Sequence, residues 1–223
     1  MSVLTLAREG NVWVLTLCAG ENRFNDAVLD EWRAALDRIE QESGDHAALV
    51  ITSSDPKFFS NGIDLQAYIG RERELMSSFV PRLDAFLKRM ALLPLPVVMA
   101  INGHAYAGGA LLAAAGDFRL MRADRGRLCF PEVDIKLPFT LLMTELVRLL
   151  PNAGAGWELA ATGAAWGGEE AARRGVIDRA VSADELLPQA MALATALAGK
   201  HRPTYATIKQ RWRHAVVEAR LAD

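Results

Sequence analysis

Two short stretches carry backbone groups whose setting could do chemistry. One is Phe58-Phe59-Ser60-Asn61-Gly62-Ile63-Asp64-Leu65, the other Asn102-Gly103-His104-Ala105-Tyr106-Ala107-Gly108-Gly109-Ala110. Each follows a short apolar run and leads toward a helical pattern. Glycine brings no Cβ, so N–H groups at such a helix start stay open to an anion or a polarised carbonyl oxygen. One glycine-rich turn of this kind serves packing alone in many α/β proteins. Two of them on neighbouring strands can aim a pair of N–H groups at one oxygen, an oxyanion hole that stabilises the enolate or tetrahedral anion of a thioester. Neither stretch has the Gly-Lys-Ser/Thr of a nucleotide-binding loop, and G-x-G-x-x-G is absent.

The elements that must position these loops read clearly. Ser2–Arg8 and Asn11–Cys18 alternate polar and apolar residues around Glu9-Gly10, a β-hairpin pattern. Residues 25–42 place Leu29, Trp32, Ala35, Leu36 and Ile39 at helical spacing, with Asp26 at the start, where an acid suits the helix dipole, and Gly44 as a stop. The runs 47–52 and 96–101 are apolar and β-branched, as buried strands are. Residues 71–93 read as helix before Pro94, 108–115 as a small-residue helix, 118–121 as a strand, and 138–150 as a helix opened by Pro138. Three further helical patterns fill the last third, which carries little strand signal. Strands alternating with helices predict an α/β fold with a buried parallel sheet.

Composition narrows the function classes. With 51% hydrophobic residues, 23% charged and a net charge of −2, the chain predicts a folded domain, and disorder is excluded. The near-neutral balance gives no electrostatic ground for nucleic acid or an anionic membrane as partner. No run approaches the roughly 18 apolar residues of a membrane helix. Cys18 and Cys129, both in apolar runs, read as reduced core residues, and no Cys/His cluster has metal-ligand spacing. The opening residues show no signal-peptide pattern, so a reducing, cytoplasmic setting is expected.

The stretches Lys57–Leu65 (KFFSNGIDL) and Ile101–Met121 (INGHAYAGGALLAAAGDFRLM) resemble, in order and spacing, the two signature regions of the enoyl-CoA hydratase/isomerase (crotonase) family. The likeness extends in outline over almost the whole chain. It implies a spiral of ββα turns over about residues 1–150 with a helical carboxyl-terminal region from about 151 to 223, all one crotonase-like domain. It also implies a homotrimer or a dimer of trimers. Carried onto this sequence, the oxyanion hole comes from the N–H groups of Ile63 and Gly108. Coenzyme A lies along Ser60, Asn61, Gly62, Ile63, Asp64 and Leu65. No metal and no separate cofactor are implied, because coenzyme A is part of the substrate.

Hydratases of this family use two glutamates, the first three residues after the oxyanion glycine. Here that position holds Leu111, which can neither hold nor deprotonate water. The second has a match in Glu132, within Leu128-Cys129-Phe130-Pro131-Glu132-Val133-Asp134-Ile135, a segment that resembles monofunctional Δ3,Δ2-enoyl-CoA isomerases. Moving a double bond from C3=C4 to C2=C3 needs a proton taken from C2 and one returned at C4, and one carboxylate within reach of both carbons suffices. The apolar neighbours of Glu132 predict a raised pKa if the site is buried. Hydration, thioester hydrolysis, decarboxylation and a silent acyl-CoA-binding subunit are the competing readings.

The remaining polar residues are assigned structural roles. Asp64 reads as a helix cap, His104 as a hydrogen-bonded loop residue and Asp117 as a structural acid. Asp134 shares the face of Glu132 if the segment is extended. The basic run Lys200–His214 reads as a solvated helix face, with a sharper alternative in which Lys209, Arg211 or Arg213 meets the coenzyme A phosphates.

Overall fold

The alternation at the start of the chain produces the expected hairpin. In the structure, a computed structural model that describes residues 2–221, β1 (Leu4–Glu9) and β2 (Val12–Leu17) pair antiparallel, Leu4 opposite Leu17. From β2 the main sheet continues in parallel through β3 (Ala48–Ser53), β5 (Val97–Ile101), β7 (Phe118–Arg122) and β10 (Arg179–Val181), in the order β1-β2-β3-β5-β7-β10. A smaller sheet, order β4-β6-β8-β9, is built from β4 (Phe58–Ser60), β6 (His104–Tyr106), β8 (Leu128–Cys129) and β9 (Ala165–Trp166). The chain thus visits a strand of the large sheet, then one of the small sheet, then a helical segment: β3 to β4, β5 to β6, β7 to β8. That repeated path is the ββα spiral the resemblance implied.

β3 and β5, in the middle of the large sheet, are buried on both sides because both faces are covered. Val12, Ala48, Val50, Val98, Ala100 and Leu120 pack against α8 (Ala183–Ala198), which presents Leu186, Ala190, Ala194 and Ala198. The opposite face, with Leu49, Ile51, Met99 and Ile101, joins the main core. That core includes α1 (Asp26–Glu42), which buries Val28, Leu29, Trp32, Leu36 and Ile39 and is capped by the Asn25 side chain accepting from the Val28 N–H. The stretch 71–93 forms α2 (Glu72–Glu74), a π-helical turn (Leu75–Phe79) and α3 (Val80–Leu92), closing before Pro94. α4 (Gly108–Ala115) is buried along its whole length.

Three expectations need correction. The predicted helix at 138–150 is α5 (Leu141–Arg148), which starts after Pro138 because Thr140 is the cap, its Oγ1 accepting from the Met143 N–H at 3.1 Å. The last third holds α6 (Ala153–Thr162), α7 (Gly168–Arg173), α8, α9 (Arg202–Trp212) and α10 (His214–Glu218), and also β9 and β10. β10 adds to the edge of the large sheet beside β7, although its three residues are too few to show a pattern.

The basic carboxyl-terminal run corrects most sharply. Lys209 and Arg213 are neither solvated nor free for a phosphate: both are buried and ion-paired with Asp117, at 2.6 and 2.9 Å. Lys209 also donates to the carbonyls of Leu93 and Leu95, and Arg213 to those of Ala91, Ala115 and Gly116. These carbonyls lie at or just beyond the ends of α3 and α4, where helices leave C=O groups unpaired. Arg211 alone of the three is exposed. Asp117 has the structural role expected of it.

Candidate active site

The two glycine loops meet because their backbones approach more closely than side chains would allow. Gly62 has φ +75°, and a Cβ there would sit 3.0 Å from the Gly108 nitrogen. A Cβ on Gly109 would lie 2.2 Å from the Ser60 carbonyl oxygen, so β4 can pack on the start of α4 only with glycine at that position. Phe24 fixes the first loop from the other side. Its N–H donates to the Gly62 carbonyl at 2.8 Å, and its own carbonyl accepts from the Asp64 N–H at 2.9 Å. In such a parallel bridge the residue between the two partners turns its own N–H away, and here that residue is Ile63.

The second loop is held by an unusual backbone. Ala107, immediately before α4, has φ +49° and ψ −121°, a conformation that disfavours any side chain. Its N–H donates to the Cys129 carbonyl at 3.0 Å, which ties the loop to β8. The strain is spent at the peptide that carries the Gly108 N–H. Ile63, Ala107 and Gly108 together line one cavity of about 170 Å³.

Glu132 lines the same cavity. It follows β8 on a single 3-10 turn, Pro131–Val133, and is 7% exposed. Its Oε2 is buried without a hydrogen-bond partner among the described residues. Burial pushes its carboxyl up from 4.5 to about 7, against a smaller opposing pull from a backbone N–H. Leu111, on α4 one turn after Gly108, lines the wall. Helical side chains lean toward the amino end, so Leu111 covers the space over Gly108.

The structure thus brings Ile63, Gly108 and Glu132 together. Along the first loop Asn61, Ile63 and Leu65 line the cavity, while Ser60 and Gly62 are buried behind it, the Ser60 hydroxyl donating to the Asn22 carbonyl at 2.8 Å. Asp64 stands at the cap position of a 3-10 turn (Leu65–Tyr68), yet its side chain makes no capping bond there. Asp134 does not share the face of Glu132, because the segment is helical rather than extended at that point. It is exposed and lies against Gly163. His104 does not line the cavity; its ring sits between Phe58 and Tyr106 instead of making the expected hydrogen bond, and Nδ1 has no partner among the described residues. Cys129 is buried, its thiol pushed up to about 11, and Cys18 is half-buried; both are free.

Sequence reasoning missed Arg23 and Met143. Arg23 stands at the mouth, its Nε donating to Glu21 at 2.7 Å, and Asn61 donates to the same Glu21 oxygen at 2.9 Å. The polar run Glu21-Asn22-Arg23 between a strand and a helix was the available signal. Met143 carries none, since α5 meets the cavity only through tertiary packing.

The family model for enoyl-CoA hydratase/isomerase matches residues 7–223. The chain belongs to the enoyl-CoA hydratase/isomerase family. It is 35% identical to enoyl-CoA delta isomerase 3 of Arabidopsis thaliana over 219 residues, covering 92% of this chain and 90% of that protein. It is 32% identical to carnitinyl-CoA dehydratase of Escherichia coli over 211 residues, covering 94% and 80%. A solved enoyl-CoA hydratase/isomerase family protein from Pseudomonas syringae superposes with a TM-score of 0.89 at 26% identity, covering 97% and 92%. As a family member, this chain combines the crotonase fold with an acyl-CoA thioester as the class of substrate. No helix among the described residues is long and apolar enough to cross a membrane.

Proposed function

We propose that this chain isomerises 3-enoyl-CoA to 2-enoyl-CoA with Glu132 as the single proton carrier. The carboxylate takes a proton from C2, the electron pair spreads into a dienolate, and the same carboxyl returns a proton at C4, so the double bond moves from C3=C4 to C2=C3. The N–H groups of Ile63 and Gly108 hold the dienolate oxygen, and coenzyme A runs past Asn61, Ile63 and Leu65 toward Arg23 at the mouth. The whole chain acts as one such unit in the cytoplasm, assembled as a homotrimer or a dimer of trimers.

One observation carries the reading: Glu132 is buried in a cavity shared with the apolar Leu111, and its Oε2 has no hydrogen-bond partner among the described residues. A base with a pKa near 7 is half charged at neutral pH and exchanges protons in both directions, which a shuttle requires. The likeness to an Arabidopsis enoyl-CoA delta isomerase supports the same direction. The likeness to carnitinyl-CoA dehydratase favours a second reading, addition or loss of water, and Leu111 speaks against it because nothing at that position can activate water.

The test is incubation of wild type and Glu132→Gln with 3-hexenoyl-CoA, followed by product analysis. Conversion to the conjugated ester without 3-hydroxyacyl product, reduced about 10²–10⁴-fold in the variant, is expected. A hydroxyacyl product, or an undiminished variant, would overturn the reading.

A further inference from the structure

The cavity has a graded wall, open at one end and closed at the other. Its mouth is made of accessible residues, Leu65 at 41%, Met76 at 41% and Ile135 at 46% exposure. Its inner wall is closed: Leu83 is fully buried, Val80 is 2% exposed and Met143 6%. These inner residues come from α3 and α5, which touch each other and both touch α4. Behind them lies α10, packed on both α3 and α5 through the buried Val216. α10 is pinned there, since Lys88 of α3 donates to the carbonyls of Val217 at 2.7 Å and Ala219 at 2.9 Å. An acyl tail entering past Glu132 therefore meets a floor with a helix fixed behind it.

The volume fixes the scale. An apolar cavity of about 150 Å³ takes one benzene, six carbons. The cavity here is about 170 Å³ and is dry-walled on its inner side. We infer that the substrates are short-chain acyl-CoA esters of about six to eight carbons, and that Met143, with Leu83, is the floor that sets the limit. Met143 is the adjustable part of this floor, because an unbranched thioether fills irregular gaps and can be shortened or replaced by a ring. This inference rests on the acyl-CoA reading of the site, but on no particular reaction at Glu132.

The test measures binding of saturated acyl-CoA esters from butanoyl to dodecanoyl by titration calorimetry, beside turnover of 3-hexenoyl-CoA. For wild type, affinity is expected to rise about fourfold per added methylene while the tail is being buried. It should then stop rising near eight carbons and fall by about tenfold or more at dodecanoyl, where the floor must be displaced. Met143→Ala should move the break about two carbons longer, and Met143→Phe should move it shorter. The two variants change the floor in opposite directions, so a loss of folding in one leaves the other to decide. An affinity that climbs steadily to dodecanoyl in wild type, or a break unmoved by a folded variant, would overturn the inference. A break at eight carbons with no isomerisation of 3-hexenoyl-CoA keeps the length limit and removes the isomerase reading. Isomerisation without any break does the reverse, and failure of every ester to bind removes both.

Discussion

Asp117 and Glu132 are acids whose side chains are shielded from solvent, and they are treated in opposite ways. Asp117 sits at the start of β7 with two cations against it, Lys209 and Arg213, and a third contact from the Val97 N–H at 2.8 Å. Glu132, 7% exposed, lines a cavity with Leu111, Ile135 and Leu137 and has one oxygen with no partner among the described residues. The paired acid joins distant parts of the chain, holding α9 and the turn into α10 against the ends of α3 and α4. The unpaired acid holds nothing together and carries a cost, since burial favours its neutral form. A buried charge with partners is architecture; one left without them in a cavity is poised for proton transfer.

Removing each carboxylate should therefore move stability in opposite directions. Asp117→Ala leaves two buried cations facing each other and should destabilise the fold by about 3–5 kcal/mol. At this chain length that is a drop in Tm of roughly 10 °C, readable by calorimetry. Glu132→Gln should do the reverse above neutral pH. The folded-state pKa, about 7, lies above the unfolded value of 4.5, so the native protein binds the extra proton between them. Stability from this group is full below pH 4.5, falls as pH rises toward 7 and stays low beyond. Glutamine stays neutral throughout, so the variant should gain about 2–3 kcal/mol over wild type at pH 8 and little at pH 4.5. Equal effects at both pH values would break the comparison.

A smaller effect is expected at the backbone that aims the Gly108 N–H, the proposed oxyanion donor. Ala107→Gly relieves a conformation unfavourable to any Cβ and should stabilise by up to about 1 kcal/mol in chemical denaturation. It also frees the peptide carrying the Gly108 N–H, so turnover should fall several-fold while the melting point holds or rises. A turnover that rises with stability would show that the strain at Ala107 does not serve the reaction.

The contrast between the two acids also marks what was legible in the sequence. The loops around Gly62 and Gly108 and the segment around Glu132 are local motifs, with each determining residue within a few positions of the next. Their elements could be read from patterns of the same short range. Asp117 and its partners could not be read, because the groups that pair with Lys209 and Arg213 lie some ninety or more residues away, several of them main-chain carbonyls without sequence identity. A basic run looks solvated until helix ends are brought to it. β10 was hidden for a related reason: three residues become a strand only beside β7. Met143, in the cavity wall, looks like any core methionine until α3, α4 and α5 converge.

The central claim is that Glu132, with its Oε2 unpartnered among the described residues, does the proton transfer. The most direct test is the pH dependence of kcat/KM for 3-hexenoyl-CoA with the wild-type protein. A single ascending limb, rising about tenfold per pH unit from pH 5 and levelling near pH 7, is predicted from the raised carboxyl. A rate already level at pH 5, as an ordinary solvated carboxylate would give, would contradict it.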